Sequence, residues 1–251
     1  MKLNLKFNIL GGVILCLLFV IVNIIFNLFY DIYYVKSPSM CPTLRTGDFI
    51  LVKKKSQEKV ESYNVYVFKL PCYKSNEIFF ADDINSLFIK RCVGLPGDTL
   101  LLYKDKLIVN DIFQEEYAKF IKMNEHPVGL NIYDLNSHYY YPHDTLFLWS
   151  SFEYGPIIIP NKGRTIVFGK KSKLLYNDIV LYEKRDLLNN DSYRFRNDYY
   201  FFMGDNLSFS TDSRHFGPIP ESAIIGEAKF VLFSWSKNNP FFISRIFKKI
   251  Q

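Results

Sequence analysis

The sequence predicts a mostly β protein carried on one N-terminal transmembrane helix, and three observations predict it. From Phe7 to Tyr30 no residue is charged, a stretch long enough to cross a bilayer as a helix. Beyond it come short apolar runs: Phe49 to Val52, Val65 to Leu70, Leu87 to Val93, Leu100 to Val109, Tyr199 to Met203 and Ala228 to Phe233. Turn signals separate them at Gly47-Asp48, Pro96-Gly97-Asp98, Gly155-Pro156, Gly204-Asp205-Asn206 and Gly217-Pro218, the rhythm of strands joined by tight turns.

The first element is read as an uncleaved anchor over residues 1–31. Its apolar stretch is too long for a cleavable leader, and Tyr30-Asp31-Ile32-Tyr33-Tyr34 offers no small-x-small cleavage site. Asn23 and Asn27 stand one turn apart and share a face, either as tolerated polar residues or as a helix–helix contact. Lys2 and Lys6 favour an inside N-terminus, although Lys53, Lys54 and Lys55 follow at the other end.

The remaining chain divides into a core, residues 32–110 and 199–251, and an intervening stretch, 111–198. That stretch is polar and aromatic with weaker periodicity, and is expected to form an inserted second β subdomain. The segment from Phe241 to Lys249 mixes apolar and basic residues. It suits either a membrane surface or a short terminal helix packed on the domain.

Charge and composition exclude several classes. The formal net charge of +6 is spread without a dense Lys/Arg block, and no nucleic-acid-binding motif accompanies it. No nucleic-acid partner is expected; a basic surface beside anionic lipid is the simpler reading. Cys16 lies in the apolar run, and Cys41, Cys72 and Cys92 form neither a disulfide framework nor a zinc motif. His126, His138, His143 and His215 lack ligand spacing, so neither a metal nor a cofactor is expected.

Four blocks carry chemistry. In Lys36-Ser37-Pro38-Ser39-Met40-Cys41-Pro42-Thr43-Leu44, two prolines flank Ser39 and keep the backbone irregular, which can expose a serine for attack. In Phe88-Ile89-Lys90-Arg91-Cys92-Val93, strand alternation puts Lys90 and Arg91 on opposite faces. If the strand covers a core, one of these cations points towards it. Lysine tolerates that better, because burial lowers its pKa and a neutral amine beside a serine hydroxyl is a competent base. The alternative is a lysine that snorkels at an edge. The third block, Gly204-Asp205-Asn206 through Ser210-Thr211-Asp212-Ser213-Arg214 to Gly217, is dense in small polar groups. Asp212 and Arg214 are placed to pair, in a braced loop or as a weak surface pair, and Ser210 could orient a nearby amine. The fourth, Gly47-Asp48-Phe49-Ile50-Leu51-Val52-Lys53, reads as a structural turn opening a strand.

In this order, behind an anchor, the blocks closely resemble the bacterial type I signal peptidases, Ser/Lys peptidases of the S26 type. The matching stretches are Ser37 to Leu44, Gly47 to Lys53, Ile89 to Asp98 and Gly204 to Gly217. Tyr154 to Gly163 also looks like a segment of some longer members. The resemblance implies a mostly antiparallel β catalytic core with a more variable second β subdomain. It implies Ser39 as nucleophile, Lys90 as general base, Ser37 as oxyanion-hole donor and Ser210 as the hydroxyl that orients the lysine. Asp212 and Arg214 match a structural pair, with Gly204, Asp205 and Asn206 structural near the site.

The implied activity is removal of signal peptides from exported preproteins, with small side chains at the first and third positions before the cut. Preproteins, the bilayer and the secretion translocon are the implied partners. The implied location is the cytoplasmic membrane, single-pass, with the catalytic domain on the extracytoplasmic side. Leu207 and Phe209 depart from the usual Arg and Asn, and Tyr63-Asn64 from the usual Gly-Asp before Val65-Tyr66-Val67-Phe68. Two rival readings stay open: a specialised Ser/Lys protease maturing one secretion or pilus-type substrate, and an inactive homologue that binds signal peptides.

Overall fold

A computed structural model describes residues 2–74, 86–104, 106–120, 139–183, 191–235 and 243–251, with the side chains of 2–11 and 116 left aside. His126, His138, Phe241 and Phe242 lie outside the described residues. Helix α1, Lys2–Phe29, is followed directly by strand β1, Tyr30–Tyr34. Among the described residues one helical stretch, Gly12–Phe29, is long and apolar enough to cross a membrane, and none of it is buried against the protein. An apolar surface with no protein cover is what a lipid-facing helix requires.

The main sheet has eight strands, and every recorded pairing is antiparallel. After β1 come β2 (Asp48–Lys54), β3 (Val65–Lys69) and β4 (Leu87–Gly94). Two strands of a second sheet follow, β5 (Thr99–Tyr103) and β6 (Lys106–Val109), then β7 (Ile112–Phe113) and β8 (Glu153–Ile158). β9 (Thr165–Val167) pairs with β10 (Ser192–Arg194) as a separate ribbon. The chain returns through β11 (Tyr199–Met203), β12 (Ile219–Pro220), β13 (Ile224–Ser234) and β14 (Lys248–Lys249). The main sheet runs β1-β2-β13-β3-β4-β11-β12, with β14 on β13; the four-stranded sheet runs β7-β6-β5-β8.

β13 holds the main sheet together. It pairs β2 and β3 at once around Gly226 and Glu227, and its register shifts by bulges on both sides. A Cβ on Gly226 would lie 2.3 Å from the carbonyl oxygen of Lys53, so only glycine permits this approach. Alternation sends Val35, Ile50, Val52, Val65, Val67 and Val231 into one core cluster. Phe68, Cys92, Phe202 and Phe216 enter another, where the Phe68 and Phe202 rings stack 4.7 Å apart.

The structure refines three expectations. The run from Leu100 to Val109 is a hairpin rather than one strand, and the second sheet therefore takes β5 and β6 from before residue 110. It shares a continuous core with the main sheet through Val93, Leu100, Ile159 and Phe201. Residues Lys170–Tyr182 form a helix, so the 111–198 stretch is not purely β. Its buried residues Leu175, Tyr176, Ile179 and Val180 follow helical spacing. In the last segment, Ile243–Arg245 is a single 3-10 turn and Lys248–Lys249 joins the sheet, in place of a terminal helix.

Candidate functional site

Between β1 and β2 the chain makes one short 3-10 turn, Pro38–Met40, and Ser39 sits at its centre. Met40 is buried below the turn, and Leu44 N–H bonds to Met40 O. From the other side Asn206 clamps it: its backbone N–H donates to Ser39 O at 3.0 Å and its side-chain amide to Pro38 O at 3.2 Å. Gly204 makes the approach possible, because a Cβ there would stand 2.5 Å from Ser39 O and 2.2 Å from Ser210 Oγ. The expected neighbours Gly204, Asp205 and Asn206 are thus packed on the Ser39 turn and the Thr43 that follows it.

Lys90 arrives from β4. Its Nζ lies 2.8 Å from Ser39 Oγ and 3.1 Å from Ile89 O, and Lys90 is 4% exposed. Burial lowers its ammonium pKa to about 8, although Asp212 and Asp205 pull it upward. Part of the amine population is therefore neutral near pH 8 and able to accept the serine proton. Ser37 Oγ lies 3.1 Å from Ser39 Oγ.

Strand alternation led to the expectation that one of Lys90 and Arg91 would be buried; both are. Arg91 is fully buried and meets Asp205 at two points, Nε to Oδ1 at 2.8 Å and Nη2 to Oδ2 at 2.6 Å. It also donates to Thr43 Oγ1, Tyr63 O and Gln251 O. Thr43 Oγ1 in turn donates to Asp205 at 2.5 Å. A guanidinium with this many acceptors tolerates a site that an unpaired cation would not.

Asp212 and Arg214 form the expected pair, and it is fully buried rather than a surface contact. Burial alone would raise the Asp212 carboxyl; Arg214 and the contact with His215 hold it far below the usual range. Asp212 also accepts from Gly204 N–H at 3.1 Å, and Arg214 donates to Leu207 O, Ser210 O and Ser151 O. This loop is therefore braced from within.

A third buried pair, Asp48 with Arg245, escaped the sequence reading, which took Asp48 for a turn residue. Arg245 also donates to Thr43 O, so Thr43 is held on both sides. Ser210 differs from expectation: its hydroxyl is buried and bonds to nothing among the described residues, and no hydrogen bond joins it to Lys90. The Ser210 side chain packs against Gly204 instead.

Ser39 and Lys90 line a groove of about 690 Å³. One wall is Ile32 to Ser37, the other Ser86 to Ile89, with Phe209 and Thr211 at the end. Val35 N–H and C=O both bond across to the β2 turn, at Asp48 O and Gly47 N. Alternation then directs the main-chain groups of Tyr34 and Lys36 to the groove side. On the opposite wall β4 pairs with β3 from Leu87 onward, but with β11 only from Arg91. Among the described residues no strand pairs with the outer edge at Leu87 to Ile89, beside the groove.

A serine hydroxyl on a tight turn, a buried amine within hydrogen-bond distance of it and an edge-lined groove suit acyl transfer on an extended peptide. Comparison with known proteins points the same way. The family model for "Signal peptidase, peptidase S26" matches residues 9–235. A signal peptidase I of Buchnera aphidicola subsp. Baizongia pistaciae is 30% identical, over 85% of this chain and 73% of its own. Signal peptidase I V of Bacillus subtilis is 26% identical, over 77% and 80%. Thylakoidal processing peptidase 1 of Arabidopsis thaliana is 27% identical, over 81% of this chain and 42% of its own. With the family match running across the apolar helix, the Ser39 turn, β4 and the braced loop alike, the chain belongs to the peptidase S26 family of signal peptidases.

Proposed function

We propose that this membrane-associated protein is the endopeptidase that removes signal peptides from exported preproteins, by a Ser39/Lys90 dyad. The observation that carries the reading is the 2.8 Å approach of the buried Lys90 amine to Ser39 Oγ on the floor of a peptide-wide groove. Neutral Lys90 takes the proton of Ser39 as Oγ attacks the carbonyl carbon of the scissile bond. Ser37 Oγ–H and Ser39 N–H face the resulting oxyanion. As the C–N bond breaks, the Lys90 ammonium returns its proton to the leaving amine, leaving an acyl ester on Ser39. Lys90 then deprotonates the water that hydrolyses the ester. Ser210, whose hydroxyl makes no bond among the described residues, is assigned to turn towards the lysine once that is protonated.

Asp212 with Arg214, and Gly204, Asp205 and Asn206, keep the groove floor in place. The peptide is held in extended form between the edges at Tyr34 to Lys36 and Leu87 to Ile89, with small side chains at the first and third positions before the cut. Residues 1–31 anchor the enzyme in the cytoplasmic membrane by a single pass, with the catalytic side extracytoplasmic and near the translocon. Residues 32–110 and 199–251 supply the catalytic core and 111–198 most of the inserted unit.

The test is cleavage of a preprotein with an Ala-x-Ala site by the detergent-solubilised protein, with the product N-terminus read by mass. Wild type alone should cut there. Cleavage by Ser39→Ala or Lys90→Ala would reject the dyad, and no cleavage by folded wild type would reject the activity.

A further inference from the structure

We infer that Lys36 makes the enzyme select for a carboxylate at the second substrate residue before the cut. The inference rests on the signal-peptidase reading and adds a substrate preference to it. Lys36 is exposed, lines the groove, and stands one residue before Ser37 and three before Ser39. Its side chain makes no ion pair or hydrogen bond among the described residues. The charged residues among the groove lining described here are Lys36 and Lys90, and no carboxylate is among them. Lys90 is engaged with Ser39 at the floor; Lys36 is the cation at the rim.

Alternation fixes which face of the substrate meets it, and the second residue before the cut is the one on that face nearest Ser39. Along this wall Val35 is 3% exposed and points into the core beside Met40, with Ile89 packed against the same cluster. Lys36 points the other way, into solvent. A peptide lying extended along this edge alternates in the same manner. If its first and third residues before the cut turn inward, towards the apolar wall, the second turns outward. There it shares a face with Lys36, in the relationship of cross-strand neighbours. An acidic side chain gains an ion pair at that position; a basic one meets a like charge.

The experiment uses the full chain in detergent and three peptides identical except at that residue, Ala-Glu-Ala, Ala-Gln-Ala and Ala-Lys-Ala before the cut. At low salt kcat/KM should fall in the order Glu, Gln, Lys, with about two- to five-fold per step, the range of an exposed ion pair. The spread should shrink in about 1 M salt, where the screening length is about 3 Å. It should flatten in Lys36→Gln and invert in Lys36→Glu. Equal rates for the three peptides in wild type would overturn the selection by Lys36 and leave signal-peptide cleavage standing. So would a spread that persists in Lys36→Gln. If wild type, folded by circular dichroism, cut none of them, the cleavage reading itself would fall and the selection with it.

Discussion

Arg91 and Asp205, 114 positions apart in the chain, close a two-point ion pair with no solvent exposure, next to Lys90. Asp205 adjoins Asn206, which clamps Ser39, and Arg91 adjoins Lys90, so one buried contact braces both Ser39 and Lys90. Asp205→Ala leaves the guanidinium buried without its counter-ion. The expected loss of stability is about 3–5 kcal/mol. Urea denaturation of the single variants and of Arg91→Met with Asp205→Leu measures it, and the double variant should lose less than Asp205→Ala.

The pH dependence follows from Lys90. Burial lowers its folded pKa to about 8 from 10.5, so the active, neutral amine gains population as pH rises through about 8. kcat/KM should therefore climb from pH 6 and level off above about 9. The unfolded chain holds this proton up to higher pH, so the residue's contribution to stability also rises between about pH 8 and 10.5. Below pH 8 the fold carries a buried ammonium. Lys90→Met should abolish cleavage and raise stability at pH 7 by about 1–3 kcal/mol, read from thermal melts at pH 7 and 10.

Gly204→Ala tests the closeness of the two loops. The new methyl group has no place between Ser39 O and Ser210 Oγ, so the nucleophile turn must move. A displacement of about 1 Å costs about 100-fold in rate when reacting atoms are misaligned. Steady-state kinetics should show the loss in kcat more than in KM.

Ser37→Ala removes the proposed oxyanion donor and leaves the Lys90–Ser39 contact in place. The expected penalty is about 3 kcal/mol in the transition state, near 100-fold in kcat, with KM little changed. Comparison of kcat and KM with the wild type on one peptide decides it.

Much of this site was legible because its parts are local. Ser39 between prolines, Lys90 in an apolar strand and Asp212 two residues from Arg214 each announce themselves within a short window. What stayed hidden depends on partners far along the chain. Asp48 meets Arg245 across 197 positions, and Arg91 meets Asp205 across 114, distances at which no spacing rule operates. The helix Lys170–Tyr182 was readable from Leu175, Tyr176, Ile179 and Val180, but Asn177 and Asp178 interrupt it with residues that favour turns. Ser210 shows the limit of carrying a role by position: its place in the loop is as expected, while packing on Gly204 decides where its hydroxyl goes.

Helix α1 passes into β1 with no residue between them, and Lys54 ties the junction by bonding Asn27 O and pairing with Asp31. The helix and the groove wall are thus consecutive elements joined without a linker. On the proposed function, the short path from Phe29 to Ser39 keeps the attacking hydroxyl near the last turn of the helix, and a tilt of that helix in lipid would reach the groove. On that reading, the end of the apolar helix would act as a ruler for the bond that is cut.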